Sequence, residues 1–402
     1  MRVRVERRPI RVPGFRFAGV TCGVKASGTR DVALIVSDRP AAAVGAFTTN
    51  RVKAAPVLVG QERLRGGRVQ AILVNSGNAN AYTGSAGERA ARELTRLAAE
   101  GLGIDERLVV PSSTGRIGVP LPLPPLRRGV RAAVRALRAD GFLDAQEGIM
   151  TTDAFPKFGS ERVRIDGRWV TIAGLAKGAG MIAPHMATLL VYVLTDAAVT
   201  RAALRGVLRA ALPHSFNAIV VDGDMSTNDT VLLLANGAAG NRPLTVRSSG
   251  YAAFAAAAGR LMTALARMVV KDGEGSTKVI DIVVRGARST RDAARVADAV
   301  ARSPLCKSAF YGGDPYAGRI VCAAGYSGAA FDPARLDVFL DDIAIVRRGV
   351  EIVRRVERRA SAVAAKPEFR LTIDLHGGAG TAHRIASDLT VDYVRFNSDY
   401  RT

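Results

Sequence analysis

The sequence predicts an α/β protein with two lobes. A chain of 402 residues is long for one hydrophobic core, which favours two lobes or domains. Its apolar fraction of 48% is that of a globular protein with ample core material. Strand-like runs of branched and aromatic residues alternate with helix-like amphipathic segments, most regularly in the second half of the chain. This alternation is typical of the α/β class.

Short runs of branched and aromatic residues, bounded by small polar residues, predict the strands. They lie at 31–37, 43–48, 189–196, 217–221, 279–284, 337–340, 343–346 and 369–374, with a hairpin over 162–172. Two further strands start at 69 and 108, and each is predicted to end in a small polar loop, from Asn75 and from Ser112 onward. Helices are predicted at 88–99, 126–139, 201–212, 252–269 and 292–301. Near the C-terminus, residues 392–396 are predicted to form a strand that anchors the tail.

The strongly basic composition invites comparison with nucleic-acid-binding proteins. The formal net charge is +21, but only 8 of the 57 basic residues are lysine, and the arginines are spread over most predicted helices. Aromatic residues make up 5% of the chain, too few for base-stacking platforms. We therefore interpret the charge as an arginine bias of a solvated surface that also attracts anionic substrates, and we expect no nucleic-acid partner.

Membrane and metal signals are weak in this sequence. No uninterrupted apolar run reaches the roughly 18 residues of a membrane span, and the N-terminus lacks the apolar segment of a signal peptide. Cys22, Cys306 and Cys322 are odd in number and lack metal-ligand spacing, which favours free buried thiols in a reducing cytosol. The histidines form no ligand pattern either. We therefore expect a cytoplasmic protein without a membrane anchor or a metal.

A glycine-rich segment at 177–188 leads into the strand predicted at 189–196, with Thr188 at its mouth. Gly178 and Gly180 permit backbone angles that other residues avoid, and Pro184 keeps the residue before it extended. If the Ala187–Thr188 bond is cut, Thr188 gains an α-amine, whose ordinary pKa of roughly 7.7–8.0 suits it to act as general base for its own hydroxyl. From the pattern alone, an ordinary loop entering a core strand is the better-supported interpretation, and an N-terminal nucleophile is the alternative.

The same segment, KGAGMIAPHMATL at 177–189, resembles the self-processing signature of the ornithine acetyltransferase family, also called glutamate N-acetyltransferases. The resemblance extends over nearly the whole chain from Pro13, including NSGNAN at 75–80 and TTDAFPK at 151–157. The family usually has Trp where Ala317 stands. The resemblance implies layered β-sheets packed against helices, in a self-processed N-terminal-nucleophile fold like that of related aminopeptidases.

Residue roles follow from this resemblance. It implies cleavage between Ala187 and Thr188, which divides the chain into an α-chain, 1–187, and a β-chain, 188–402, with Thr188 as the nucleophile. Thr114 and Gly115 match the oxyanion hole, where a hydroxyl and a glycine N–H can approach the oxygen closely. The NSGNAN segment is expected to support the site rather than to take part in catalysis. The matching substrate contacts are Thr152, Lys177, Thr188, Glu274, Asn397 and Thr402.

The implied reaction is acetyl transfer from N2-acetyl-L-ornithine to L-glutamate through an ester on Thr188. The resemblance implies no cofactor, acetyl-CoA as a second donor in some family members, and a heterotetramer of two α-chains and two β-chains. The expected small-molecule partners are acetylornithine, glutamate and ornithine. An aminopeptidase or amidase that uses water as acceptor shares the nucleophile and is the alternative. Lys177, Glu274 and the C-terminal segment 397–402 favour the transferase.

Overall fold

The structure, a computed structural model, describes residues 10–183 and 189–399. This part of the chain contains fifteen strands, eleven α-helices and four short 3-10 helices. In chain order, strands β1 to β15 span Phe15–Val20, Val32–Phe47, Arg68–Asn78, Val109–Arg116, Lys157–Ile165, Arg168–Lys177, Leu190–Thr195, Ile219–Val220, Thr230–Ala235, Val279–Ala287, Asp337–Leu340, Ile343–Arg347, Val350–Glu351, Glu368–Asp374 and Gly380–Ser387. Helices α1 to α11 span Ala55–Leu64, Gly84–Leu102, Leu123–Arg135, Phe142–Ile149, Arg201–Ala211, Tyr251–Lys271, Thr290–Arg302, Pro304–Gly312, Gly318–Gly325, Glu357–Ala364 and Val391–Asp399.

The larger sheet contains eight strands in the order β4-β3-β2-β9-β7-β6-β5, with β1 paired to β2. Strand β2 shifts register between Val36 and Ala41, so that its first half pairs with β1 and β3 and its second half chiefly with β9. The sheet therefore has two halves, one that contains β1, β3 and β4 with the first part of β2, and one that contains β5, β6, β7 and β9 with the second part of β2. Alternate side chains of these two halves of the sheet, such as Ile72 of β3 and Tyr192 of β7, share one core. The opposite faces pack on α2 and α3 in one half and on α5 and α6 in the other. This helix–sheet–sheet–helix stack confirms the predicted layered α/β fold.

The smaller sheet forms a second lobe, with seven strands in the order β13-β12-β11-β14-β10-β15-β8. Helices α7 to α10 share a core with this sheet that includes Ile282, Val296 and Leu371. Helix α6 joins the lobes, because it contacts β5 and β6 of the larger sheet as well as β8 and β15 of the smaller one. The predicted division into two lobes is therefore confirmed.

The predicted cleavage point lies, in the sequence, between two strands of the larger sheet and not between the two lobes. Strand β6 ends at Lys177, its antiparallel neighbour β7 begins at Leu190, and these two residues are paired. Ala187 and Thr188 themselves lie outside the described residues. Two chains separated at this point would remain joined by the hydrogen bonds of one sheet. The division into 1–187 and 188–402 stays a prediction.

Helix α6 is long and apolar enough to cross a membrane when judged by length and composition alone. Uninterrupted apolar runs in the sequence do not reveal it, because Arg260 and Arg267 interrupt the segment. Half of its apolar window is buried inside the protein, and Phe254, Leu261 and Leu265 are fully buried. Since α6 also packs between the two sheets, it is a core helix of this fold.

The C-terminal strand predicted at 392–396 is wrong, because these residues belong to helix α11. The hydroxyl of Thr390 accepts a hydrogen bond from the Tyr393 N–H at 3.0 Å and donates one to the Gly275 carbonyl at 2.8 Å. The first contact satisfies an N–H at the start of the helix, and the second ties that start to the turn before β10. The last described residues therefore form helix α11, and the start of this helix is anchored at Gly275.

Two further expectations need correction. Residues 112–116 and 75–78, predicted as polar loops, continue strands β4 and β3, which pair in parallel up to Arg116 and Asn78. The three cysteines are free, as expected, but only Cys306 is buried, whereas Cys22 is partly buried and Cys322 is exposed. The polar composition of both strand ends hid their pairing, because polar side chains there, such as Asn75 and Ser113, are buried and hydrogen-bonded to each other.

Candidate functional site

The predicted site residues within the described parts of the chain converge on one cleft. It encloses about 590 Å³ of space that is partly open to solvent. The predicted residues among its lining are Thr114, Gly115, Thr152, Lys177, Glu274 and Asn397. They come from the ends of β4 and β6, the connection from α4 to β5, the turn from α6 to β10, and helix α11. Ala187, Thr188 and Thr402 lie outside the described residues.

The end of β4 brings Thr114 and Gly115 to the cleft. Gly115 has a φ of +127°, a region that strongly favours glycine. A Cβ at this position would lie 2.3 Å from the carbonyl carbon of Gly77 in the paired strand. Only glycine therefore allows β3 and β4 to approach so closely, and this close approach fixes the position of the adjacent Thr114.

Buried asparagine side chains support the end of β4 through hydrogen bonds. Asn228 donates from Nδ2 to the carbonyl oxygens of Ala79 at 2.6 Å and Ser113 at 2.8 Å. Asn75 donates to the Asn78 carbonyl at 2.8 Å and accepts from the Ser113 hydroxyl at 2.6 Å. These contacts agree with the expected supporting role of the NSGNAN segment, because its side chains are used to hold backbone and a neighbouring strand.

Lys177, at the end of β6, donates from Nζ to Oγ1 of Thr114 at 3.2 Å. Both residues are buried. Since an ammonium is a donor only, the Thr114 hydroxyl must accept here and keeps its own proton for another partner. Burial lowers the pKa of Lys177, while the nearby carboxylate of Asp153 opposes that shift. The pair thus provides a hydroxyl donor backed by an ammonium at the cleft.

Asp153 lies behind Lys177 in a cluster of buried charges that the sequence analysis did not identify. Its carboxylate accepts from Lys157 Nζ at 2.6 Å, and Lys157 also pairs with Asp272. Burial tends to raise the pKa of Asp153, but the ammonium groups of Lys177 and Lys157 outweigh it and bring that pKa to about 2. The TTDAFPK motif contains two of these residues, yet their burial depends on long-range packing.

Glu274 forms the opposite side of the cleft. Its carboxylate accepts from the Thr152 hydroxyl at 2.7 Å and from the Asn397 amide at 3.1 Å. Thr152 and Asn397, which are distant in sequence, therefore meet at the carboxylate of Glu274. Their role as substrate contacts stays a prediction. A Cβ on Gly180 would lie 2.3 Å from a Glu274 oxygen, so the glycine-rich segment can pass this carboxylate only without a side chain at that position.

Two carboxylates of the connection between β8 and β9 hold the described flanks of residues 184–188. Asp222 accepts from the backbone N–H of Ile182 at 2.8 Å, and Asp229 accepts from that of Leu189 at 3.0 Å. Burial raises the pKa of Asp222 to about 6 and raises the pKa of Asp229 well above its ordinary value. Neither carboxylate was predicted from the sequence, and the missed signal was their position, because Asp222 follows the buried strand β8 and Asp229 directly precedes the buried strand β9.

The same connection supplies Ser226 and Asn228 to the lining of the cleft, which the sequence analysis also did not identify. Within residues 10–183 and 189–399, no three His, Cys, Asp or Glu side chains are grouped so that they could hold a metal ion. The arrangement offers buried hydroxyl, ammonium and backbone donors on one side and a carboxylate on the other. Such a site can stabilise an oxyanion and bind a cationic or zwitterionic substrate.

Comparisons with known proteins identify the family of this chain. Residues 16–402 match the model of the ArgJ family. The arginine biosynthesis bifunctional protein ArgJ of Geobacter sulfurreducens is 51% identical over 391 residues, which cover 97% of this chain and 100% of that protein. The protein of the same name from Symbiobacterium thermophilum is 50% identical, with 97% of each chain covered. A crystal structure of ornithine acetyltransferase from Mycobacterium tuberculosis, complexed with ornithine, shares 39% identity and a TM-score of 0.42 and covers 47% of this chain and 100% of that chain.

Proposed function

The chain belongs to the ArgJ family, and we propose that it transfers acetyl from N2-acetyl-L-ornithine to L-glutamate in arginine biosynthesis through an ester on Thr188. The observation that carries this proposal is that Thr114, Gly115, Lys177 and Glu274 line one and the same cleft. Its lining includes Gly180 and Met181 of the glycine-rich segment that leads to the proposed nucleophile, and Lys177 is paired with Leu190, just after that nucleophile in the sequence. Membership of this family favours the transferase over the aminopeptidase alternative.

The first proposed step is self-cleavage. The Thr188 hydroxyl adds to the carbonyl carbon of Ala187, the C–N bond breaks, and water hydrolyses the resulting ester. The products are a carboxylate at residue 187 and a free α-amine at residue 188. Since this amine titrates near neutral pH, it can take the proton of the Thr188 hydroxyl in each later turnover.

Acetyl transfer then uses both sides of the cleft. Thr188 attacks the acetyl carbonyl of acetylornithine, and the oxygen that becomes negative is stabilised by the Thr114 hydroxyl and the Gly115 N–H. Ornithine leaves as an amine that takes up the proton, and the glutamate amine attacks the acetyl ester in the reverse sequence. The Glu274 carboxylate, held by Thr152 and Asn397, is suited to pair with the ammonium of ornithine. Lys177 and Thr402 complete the proposed substrate contacts.

The decisive experiment supplies purified protein with glutamate and either acetylornithine or acetyl-CoA, and follows N-acetylglutamate by mass spectrometry. Acetylornithine is expected to serve as donor, and the acetyl-CoA arm decides whether a second donor is used. Because one site holds both amino acids in turn, reciprocal plots at several glutamate concentrations should be parallel. Release of free acetate without acetylglutamate would instead support the aminopeptidase or amidase alternative.

We propose that the protein acts in the cytoplasm and that it assembles as a heterotetramer of two α-chains and two β-chains. We propose that neither a cofactor nor a metal takes part in the transfer. Dialysis against a chelator tests the second point directly, since activity should be unchanged. The mass of the native protein in solution, measured by light scattering, tests the assembly.

A further inference from the structure

We propose that Asp153 is a positioning residue for acetyl transfer, which holds the Lys177 ammonium against Thr114 so that the Thr114 hydroxyl directs its proton into the cleft. This role rests on the proposed function, because it acts through the oxyanion hole of that reaction. No side-chain contact between Asp153 and the Thr114 hydroxyl is required. Asp153 acts through Lys177, which touches Thr114 directly.

The contacts of Asp153 connect three segments of the cleft. One carboxylate oxygen accepts from Lys157 Nζ at 2.6 Å and from the Gly178 N–H at 2.8 Å. The other accepts from the Thr151 N–H at 2.8 Å and lies 3.9 Å from Lys177 Nζ. The Asp153 side chain is 0% exposed. One carboxylate therefore fixes the backbone next to Lys177 and next to Thr152, and also faces the Lys177 ammonium.

The charge of Lys177 decides which way the Thr114 proton points. A charged Lys177 can only donate to Thr114 Oγ1, which leaves the hydroxyl proton free for the oxyanion. A neutral amine could accept that proton instead and turn it away from the cleft. Because Lys177 is only 3% exposed, burial favours the neutral amine. Asp153 provides the opposing negative charge.

Charged groups from several elements face Lys177. Burial lowers the pKa of Lys177 most, Asp153 raises it, and Lys157 on the other side of Asp153 lowers it. Glu274 and Asp229 also raise this pKa. Lys25, in the connection between β1 and β2, is a further nearby cation, and the charge of Lys177 contributes to lowering the pKa of Lys25 after the larger effect of burial. Among these groups, Asp153 is the largest favourable influence on the ammonium. Changes to Asp153 and Lys157 should therefore have opposite effects on Lys177.

The test compares the pH dependence of kcat in the processed enzyme and two variants. The alkaline limb, which is the fall in kcat at high pH, is expected to follow the loss of the proton from Lys177. Asp153→Asn should move this limb to lower pH by roughly 1–3 units, the usual effect of removing an opposite charge at this distance. Lys157→Met removes a like charge and should move the same limb to higher pH. Opposite shifts cannot arise from a general loss of stability. Lys157→Met also provides an independent test if Asp153→Asn does not fold.

Asp272→Asn is the matched control. It removes one carboxylate from the same buried cluster, but Asp272 pairs with Lys157 and is not among the groups that shift the pKa of Lys177. Its alkaline limb should therefore move less than that of Asp153→Asn. Equal shifts in the two Asn variants, or lower rates with unchanged limbs in Asp153→Asn and Lys157→Met, would overturn the proposed role. A wild-type protein that does not acetylate glutamate would contradict the proposed function itself.

Discussion

The two sides of the cleft are built in different ways. The strand wall, which we define as Thr114, Gly115 and Lys177, consists of residues at the ends of paired strands in the larger sheet. The outer wall, defined as Thr152, Glu274 and Asn397, comes from connections and the C-terminal helix, and its members are half-buried or exposed. Thr114 and Lys177 are 2% and 3% exposed, respectively.

In the proposed function, we assign chemistry to the strand wall and substrate selection to the outer wall. An oxyanion hole works when its donors already point at the developing charge, so it benefits from buried, sheet-bound residues. Substrate exchange requires a side that ornithine and glutamate can enter in turn, and the more exposed outer wall is suited to it. We therefore expect substitutions in the strand wall to lower kcat and substitutions in the outer wall to act more through KM.

The largest expected effect comes from the proposed nucleophile Thr188, because both the cleavage and the acetyl transfer require its hydroxyl. Thr188→Ala should leave the chain uncleaved and abolish transfer, because no hydroxyl remains to attack Ala187 or the acetyl group. Thr188→Ser keeps a hydroxyl and is expected to cleave but to transfer poorly. Mass spectrometry of the purified protein should find fragments of 187 and 215 residues in the wild type. An intact wild-type chain with full transfer activity would exclude the N-terminal nucleophile.

The strand wall should show the next largest effect. Thr114→Ala removes one oxyanion donor and is expected to lower kcat about 10²–10³-fold, with little change in KM. Ser112→Ala is the control, since Ser112 lies two residues earlier in β4 and does not line the cleft. Steady-state kinetics of the two processed variants make the comparison. A loss below tenfold in Thr114→Ala would remove Thr114 from the oxyanion hole.

The outer wall is tested by removal of the tail. Deletion of residues 397–402 takes away the Asn397 contact to Glu274 but leaves the anchor of α11 at Thr390. Self-cleavage should continue, because the backbone around residues 184–188 is held by Asp222 and Asp229 instead. Transfer to glutamate should fall far more than the thermal stability does. Near-normal transfer by the truncated protein would show that the tail has no substrate role.

The smallest expected effect is a pH dependence of stability from Asp222. Its pKa in the folded protein is raised to about 6, above the ordinary value of about 3.9 in the unfolded chain. The folded state therefore binds the extra proton, and stability should fall as pH rises from about 4 to about 6, by about 1–3 kcal/mol in total. Asp222→Asn should lose this part of the slope. Thermal unfolding of the processed protein at closely spaced pH values measures it, and equal slopes would contradict the assignment.

Much of the fold could be predicted from the sequence because the core strands and helices carry strong periodic patterns. The hairpin around Asp166-Gly167 and the helix at 201–212 were placed close to their observed positions. Segments with mixed signals were not. Residues 392–396 have the branched and aromatic composition of a strand, but they form a helix. The Thr390 hydroxyl caps this helix at Tyr393 and donates a hydrogen bond to the Gly275 carbonyl. The contact between Thr390 and Gly275 joins residues 115 positions apart, so the local composition does not reveal it.

The sequence alone determined which chemical groups this protein can use, since a threonine hydroxyl, a glycine that tolerates unusual φ angles and a carboxylate are properties of single residues in short motifs. The tertiary structure decided how these groups meet. It places Lys177 on Thr114, 63 positions away, and Glu274 between Thr152 and Asn397, 122 and 123 positions away. It also buries Asp153 between two lysines, and the charge states there depend on desolvation by residues from distant segments. Burial is a property of the packed chain, so no local pattern could reveal it.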